Sequence, residues 1–321
     1  VERGVPYALV VLVALTVNFA LPRLMPGSPL RYLAGEEPAA LTAEERARLL
    51  HRHGLDQPLA VQYLRYVTRT ARGDLGDSFQ HGRPVLALLA ERVPWTLLLS
   101  GTALALATTI GVALGLLAAW HRGRPLDWTA IGIAVGLESI PGFWLAMILV
   151  AVGGVQLGWF PTFGARDVFT ELSGHAYLLD VARHLVLPAM ALTLVTLPAT
   201  VLTTRATLVG ELGADYVRAA RARGLPESRV LWRHAAANAR LPVAAAFFVN
   251  LGQVIAGATV VETVFSYPGV GRLLYEAVLA RDYAVLEGGF LLVTVSVVLA
   301  NVVMDLLAPA LDPRARPAGG S

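Results

Sequence analysis

Few side chains in this sequence can do covalent or nucleotide chemistry, and the missing ones narrow the field first. There is no Cys and no Lys, and all 26 basic residues are Arg. Without Lys there is no P-loop, whose lysine reaches the nucleotide phosphates, and no amine for a Schiff base. Ser, His and Glu all occur, but no G-x-S-x-G is present, and His184 has no partner that spacing identifies. An intramembrane serine protease is therefore a remote alternative. His51 and His53 stand two apart, on different faces of a helix, which is poor metal-binding geometry. The glycines of "YPGVG" (267–271) lack the strand-to-helix setting of a phosphate cradle and read as a loop turn.

A second set of candidates comprises polar groups inside apolar runs. Glu138, beside Ser139 and ahead of Pro141, interrupts one such run. A carboxylate at the middle of a membrane helix costs about 2.5–3.5 kcal/mol on insertion scales, so it lines a transport path, pairs with a neighbouring span, or sits nearer an interface. Asn250 and Gln253 lie three apart on one helix face, suited to the same path or to interhelical hydrogen bonding. Asn301 and Asp305 read as structural or interfacial.

The third candidate is a basic stretch, "DYVRAARARGLPESRVLWRHAAANARLP" (215–242). Its alanines favour a helix up to Gly224, which permits a left-handed stop. Pro226 and Glu227 then suit the start of a second short helix, about 226–234, running at an angle to the first. That helix mixes Val230, Leu231 and Trp232 with Arg229, Arg233 and His234. A solvated loop with a snorkelling Trp, a basic patch on anionic lipid, and a knob for a protein groove are all open on spacing alone. The net charge of +3 and the dispersal of the Arg argue against nucleic acid.

The elements that must position these groups are membrane helices. Hydrophobic residues make up 55% and charged residues 15%, a balance no soluble surface accommodates. Apolar runs long enough to cross a bilayer core of roughly 30 Å recur. The first, 5–21, follows Arg3 and is read as a retained helix, since prolines rather than a small-residue cleavage site come after it. Five more are expected at about 95–120, 129–153, 184–205, 241–262 and 284–308. The fold class is thus an all-α integral membrane protein with six spans. An N-terminal span occupies 1–26, an external amphipathic segment 27–94, the core 95–308, and a tail 309–321. In the external segment, Thr42 and Glu45 form a capping-box pattern opening one short helix. Val61, Leu64, Val67 and Ala71 mark one face of another, from Pro58 to about Arg72. Arg is concentrated at 121–127, in the 206–240 loop and its flank, and in the tail, which places these stretches and both termini in the cytoplasm.

The stretch "RAARARG" (218–224) resembles the E-A-A-x-x-x-G signature of ABC-importer permeases, with Arg218 in place of the usual Glu and the Leu241–Pro242 pair later than usual. Both departures are similar to the B-type permeases of dipeptide and oligopeptide importers. So are "RLMPGSP" (23–29), "GLDQPLAVQYLRYV" (54–67), "GDLGDSF" (73–79), "PVLALLAERVPWTLLL" (84–99), "SIPGFWLAMIL" (139–149), "VVETVFSYPGVGRLLYEAVLARDY" (260–283) and "LDPRAR" (311–316). The resemblance implies a permease subunit in the cytoplasmic (inner) membrane of a prokaryote, itself not an enzyme. Its partners would be membrane lipid, a second homologous permease, two ABC ATPase subunits that hold ATP and Mg, and an extracytoplasmic substrate-binding protein. The ATPase-coupling site it implies comprises Arg218, Ala219, Ala220, Gly224, Leu225, Pro226, Glu227, Ser228, Arg229, Val230, Leu231, Trp232, Arg233 and His234. Cargo in this branch includes dipeptides, oligopeptides, nickel and glutathione. A secondary transporter is the other remote alternative, and it would not explain the Gly-Leu-Pro break.

Overall fold

The computed structural model describes residues 4–24, 42–52, 56–252 and 258–311, and among these the chain is helical with no strand. Along the chain run α1 (Gly4–Leu24), α2 (Ala43–Arg52), α3 (Leu59–Ala71), α4 (Val85–Trp120), α5 (Pro125–Glu138) and α6 (Gly142–Leu149). Then follow α7 (Gly174–Leu212), α8 (Asp215–Ala222), α9 (Glu227–Arg229), α10 (Ala236–Gly252), α11 (Thr259–Val264), α12 (Val270–Ala280) and α13 (Tyr283–Leu311). Gln253, His53, the "PGSP" turn and residues 312–321 lie outside the described residues.

Three of these helices, α4, α7 and α13, are long and apolar enough to cross a membrane unaided. With 36 and 39 residues, α4 and α7 extend to about 54 and 58 Å at 1.5 Å per residue, well past a 30 Å hydrocarbon core. Both reach beyond the apolar runs that mark them, and both tolerate internal prolines, Pro94 in α4 and Pro188 and Pro198 in α7. The expected 129–153 span is bent by 96° between α5 and α6. Ser139-Ile140-Pro141 makes the break, because proline disfavours helical geometry at the residue before it. The chain then continues from α6 as a π-helix, Val150–Gln156. Of the expected 241–262 span, the described residues show helix to Gly252 and again over Thr259–Val264; residues 253–257 lie outside the described residues.

The principal pairing is α4 against α7, and its cause is legible in "GVALG" (111–115). A Cβ added at Gly111 would sit 2.7 Å from the Thr200 Cβ, and one at Gly115 would sit 2.7 Å from the Thr204 Cβ. Glycines four apart thus open a groove into which two threonines of α7 fit, the close approach by which helices associate in lipid. The apolar core continues from this seam through Leu99, Leu187, Phe265 and Tyr267, all buried.

The segment between α1 and α4 is tied down by side chains where it is described. Thr42 and Glu45 form the expected capping box: the Glu45 amide donates to Thr42 Oγ1 (3.3 Å), and the Thr42 amide donates to Glu45 Oε2 (2.8 Å). Helix α3 meets α1 through Phe19, whose ring packs on Tyr63 and Tyr66. The turn before α4 docks on the start of α13. There Ser78 Oγ donates to the buried Asp282 carboxylate (2.5 Å), which also accepts the Gln80 and Val285 amides. At the far end of α13, Tyr7 donates to Asp305 at 2.7 Å, which makes Asp305 a structural tie between the first and last helices.

Candidate functional site

Helix α8 ends where the sequence expects, and the backbone shows why. Gly224 has φ +74°, its amide donates to the Arg221 carbonyl, and the Leu225 amide donates to the Ala220 carbonyl. This is a Schellman closure, in which the residue past the helix must turn left-handed. A Cβ there would meet nothing within 4 Å, so glycine is required by conformation and not by space. Pro226 then starts α9. This helix does not end near 234 as a separate element: it passes through a π-helical stretch, Val230–Ala235, directly into α10. The knob and the following long helix are one continuous helical rod with a widened turn. Such π segments recur where a helix carries function.

The structure sorts the fourteen expected handle residues into two sides. Ala220, Val230 and Leu231 are buried with Val217 and Ala235 against Ala119 at the end of α4 and Leu208 at the end of α7. Leu225 and His234 are half-buried. Arg218, Ala219, Gly224, Pro226, Glu227, Ser228, Arg229, Trp232 and Arg233 are exposed, with Trp232 60% accessible. The first group anchors the knob to the span ends, and the second is offered outward. Arg221, exposed on α8, ties the two short helices together by donating to both Glu227 oxygens (2.8 and 3.1 Å). Arg218 pairs with Asp215.

Two charges counted as loop charges for orientation prove to be partners. Arg205 on α7 grips Asp127 with two hydrogen bonds of 2.5 and 2.8 Å, and the Gly123 amide donates to the same carboxylate. The Asp127 side chain is 2% accessible. A bidentate fork of this kind fixes orientation as well as charge. It joins the α4–α5 turn to α7 next to the handle.

The expected path residues are not brought together. Glu138 and Ser139 are exposed at the α5–α6 bend, not mid-helix, with Ser139 Oγ donating to the Val135 carbonyl (2.8 Å). Asn250 lines a separate cavity between α4, α7 and α10. His184 Nδ1 lies 3.2 Å from Asp180 Oδ1, and among the described residues no serine is recorded bonded to it. Among the described residues no group of His, Cys, Asp or Glu could hold a metal, and His51 pairs with Asp56 (2.8 Å).

Sequence reasoning missed Glu262. It is fully buried on α11, accepts from Thr96 Oγ1 (2.6 Å) and from the Arg272 amide (2.9 Å), and Thr96 in turn accepts the Val270 amide (2.8 Å). An added Cβ at Gly269 would collide with this carboxylate. The "YPGVG" turn does direct backbone N–H groups at an acceptor, as helix N-termini do, but the acceptor is the chain's own Glu262 side chain. The clue was an acid in an apolar run five residues ahead of the glycine-containing turn at 267–271.

This arrangement of long apolar helices with a docked knob has known counterparts. Residues 111–317 match the family of binding-protein-dependent transport system inner membrane components. The chain belongs to that family. The di/tripeptide transport system permease protein DppB of Pseudomonas aeruginosa (strain UCBPP-PA14) is 38% identical over 314 residues, covering 94% of this chain and 93% of that protein. The glutathione transport system permease protein GsiC of Salmonella paratyphi A (strain ATCC 9150 / SARB42) is 37% identical over 305 residues, covering 95% and 94%. A solved inward-facing structure of the MetNI methionine ABC transporter shares the fold at a TM-score of 0.57 and 19% identity, spanning 70% of this chain and 96% of that one. The resemblance read from the handle is borne out: the chain is an ABC-importer permease, an inner-membrane component of a bacterial transport system.

Proposed function

We propose that this permease moves short peptides inward, and that its 215–235 knob is the lever through which a separate ATPase subunit drives it. The observation that carries the reading is the two-sidedness of the knob. Val230 and Leu231 are sunk between the ends of α4 and α7, while Trp232, Arg229 and Arg233 stand free on the other side. Trp and Arg are the residues most enriched at interface hot spots, and a knob held rigidly from behind delivers whatever force its front receives. With no Lys for a P-loop, ATP and Mg belong to the partner. On this reading the 206–240 loop and both termini face the cytoplasm, a second homologous permease completes the path, and an extracytoplasmic binding protein delivers cargo. Relatives named for di/tripeptides and for glutathione are about equally similar, and glutathione is itself a tripeptide, which supports short peptides over nickel. Glu138, Ser139 and Asn250 are assigned to different stations of the path.

Replacing Trp232 with Asp tests the lever. The side chain is exposed, so the fold should be unaffected, whereas loss of a hot-spot aromatic costs at least about 2 kcal/mol of docking, some 30-fold in affinity. The variant should fail to co-purify with its ATPase subunits, or should hydrolyse ATP without uptake. Normal assembly together with normal transport would show that docking does not run through this helix.

A further inference from the structure

A cavity of about 460 Å³ opens between the 158–169 loop and the early turns of α7. It lies at the end of α7 opposite the knob. At 1.5 Å per residue, His184 is about 42 Å along this helix from Leu212, more than the roughly 30 Å of a hydrocarbon core. The lining carries charge of both signs, Arg166 and Arg183 with Asp167 and Asp180, and includes His184. The acids are held by other groups than the arginines. Asp180 accepts the Asp167 amide (2.7 Å) and lies 3.2 Å from His184 Nδ1. Asp167 accepts the Phe169 amide and the Thr170 hydroxyl, both at 2.8 Å. Among the described residues neither Arg166 nor Arg183 forms an ion pair, although two carboxylates line the same space; Arg166 stands over the Tyr177 ring, 5.9 Å from its centroid. His184 is 8% accessible, and its Nδ1 lies 2.9 Å from the Asp180 carbonyl. A carbonyl oxygen can only accept, so Nδ1 carries the proton and neutral His184 keeps Nε2 as an acceptor. Trp159 and Phe163 add apolar walls, 62% and 63% accessible. The Gly164 amide ties the loop to the Phe265 carbonyl at 2.8 Å, so these groups stand on a pinned loop and a helix. Solvated arginines on an open surface need no ligand. These two share a space of small-molecule size, within the roughly 300–1,000 Å³ of ligand pockets, with two oriented acids and a nearly buried imidazole.

We propose that this cavity receives the short peptide cargo as a zwitterion, its α-carboxylate on Arg166 and Arg183 and its ammonium on Asp167, Asp180 and His184. An unblocked dipeptide carries one charge of each sign at most about 7 Å apart, and the cavity offers both signs. A simple anion would meet the two acids and a simple cation the two arginines, so a ligand bearing both charges fits the lining best. Guanidinium forks match a carboxylate in geometry as well as charge. An ionised carboxylate has about four lone-pair sites, so each Asp can accept from an ammonium with its loop bonds intact. Recognition of the two termini is indifferent to side-chain identity, and the aromatic walls give apolar side chains a place to lie. One site can then serve cargoes of differing sequence. On the orientation proposed above, the cavity stands on the outer side, where cargo is delivered. This inference rests on the peptide reading above.

The test uses the assembled permease–ATPase complex in nanodiscs, with di-alanine as the probe. Val168, 72% accessible in the lining, is replaced with Cys, the sole thiol in a chain that has none. Its reaction with N-ethylmaleimide is followed as the mass shift of this chain. Di-alanine should slow the labelling. Acetate, which has the carboxylate alone, and N-acetyl-di-alanine amide, which has neither charge, should not slow it at the same concentration. Adding Arg183→Gln should raise the di-alanine concentration needed for half-protection at least about tenfold, the loss expected for one charged hydrogen bond, and Arg166→Gln should do the same. Both arginines are exposed, so neither change should disturb the fold. Protection by acetate or by the blocked peptide equal to that by di-alanine would overturn the zwitterion site. So would undiminished protection in both Gln variants. A separate measurement tells the two readings apart: uptake of di-alanine by wild-type proteoliposomes supplied with the binding protein. Uptake without any protection of the thiol would sink the site and leave the peptide reading standing. No uptake at all would refute the peptide reading, and the site would fall with it.

Discussion

Replacing Glu262 with Ala should loosen the start of α12 far more than the loss of one surface carboxylate would. In the native fold this carboxylate accepts from the Thr96 hydroxyl at 2.6 Å and the Arg272 amide at 2.9 Å, with the Gly271 amide also directed at it. Alanine leaves these donors with no acceptor, and each buried unsatisfied group costs about 1–3 kcal/mol. Allowing the half-buried Arg272 residue to regain some water, the local loss should be about 3–5 kcal/mol. Glu262→Gln keeps one carbonyl oxygen but turns an NH₂ toward an N–H, so it should fall between wild type and Ala. Hydrogen exchange in detergent micelles reads this directly. At 1.4 kcal/mol per factor of ten, amides at 270–273 should exchange at least about 100-fold faster in the Ala variant, while amides in the middle of α7 should change little. If residues 270–273 stay as protected in Glu262→Ala as in wild type, the carboxylate does not organise the turn, and the argument from buried donors is wrong.

Two further outcomes are expected. Asp127→Ala leaves the Arg205 guanidinium without its carboxylate; because Arg205 is 23% accessible, the penalty should lie below the 3–5 kcal/mol of a fully buried broken pair, at about 2–3 kcal/mol. Thermal melting of the purified permease should show a clear drop, and a melting temperature within a degree of wild type would refute it. Glu138→Gln should change uptake kinetics without impairing membrane insertion or melting, since Glu138 is exposed at the α5–α6 bend; unaltered kinetics would take Glu138 out of the path.

What the sequence made legible were features whose cause is local. The capping box at Thr42 and Glu45, the stop at Gly224 and the restart at Pro226 each depend on a few adjacent residues, and all appear where expected. The same logic failed where the decisive partner was distant in sequence. Nothing near Glu262 says that Thr96, 166 residues earlier, will hold it. Asp127 and Arg205 were visible only as charges at two loops until folding set them 2.5 Å apart. Helix breaks inside apolar runs fall between these cases. Pro141 lies in the run read as one span, 129–153, yet the chain bends there by 96° between α5 and α6, and Gly142 just after it packs close to Val195, where an added Cβ would sit at 3.2 Å. The knob was misjudged in one respect, as a free-standing helix. Propensity marks where a helix starts, but only the apolar seat for Val230, Leu231 and Ala235 determines that it runs on.

That continuity bears on how a push at the knob could travel. Proteins transmit displacement through packed elements because close-packed interiors deform little. Here Val230 and Leu231 are wedged against Ala119 and Leu208, the last turns of α4 and α7, and the same rod continues as α10. The knob therefore contacts or continues into all three helices that line the Asn250 cavity. The exposed Arg221–Glu227 fork bridges α8 and the rod, and the Arg205–Asp127 fork joins α7 to the start of α5. On the proposed reading, force from the ATPase cannot move α10 without acting on the ends of α4 and α7. The Gly111 and Gly115 seam holds those two helices together as one body. On the same reading, the π-helical turn at 230–235, which joins knob to rod, is the place where a bend would move α10 relative to the α4–α7 pair.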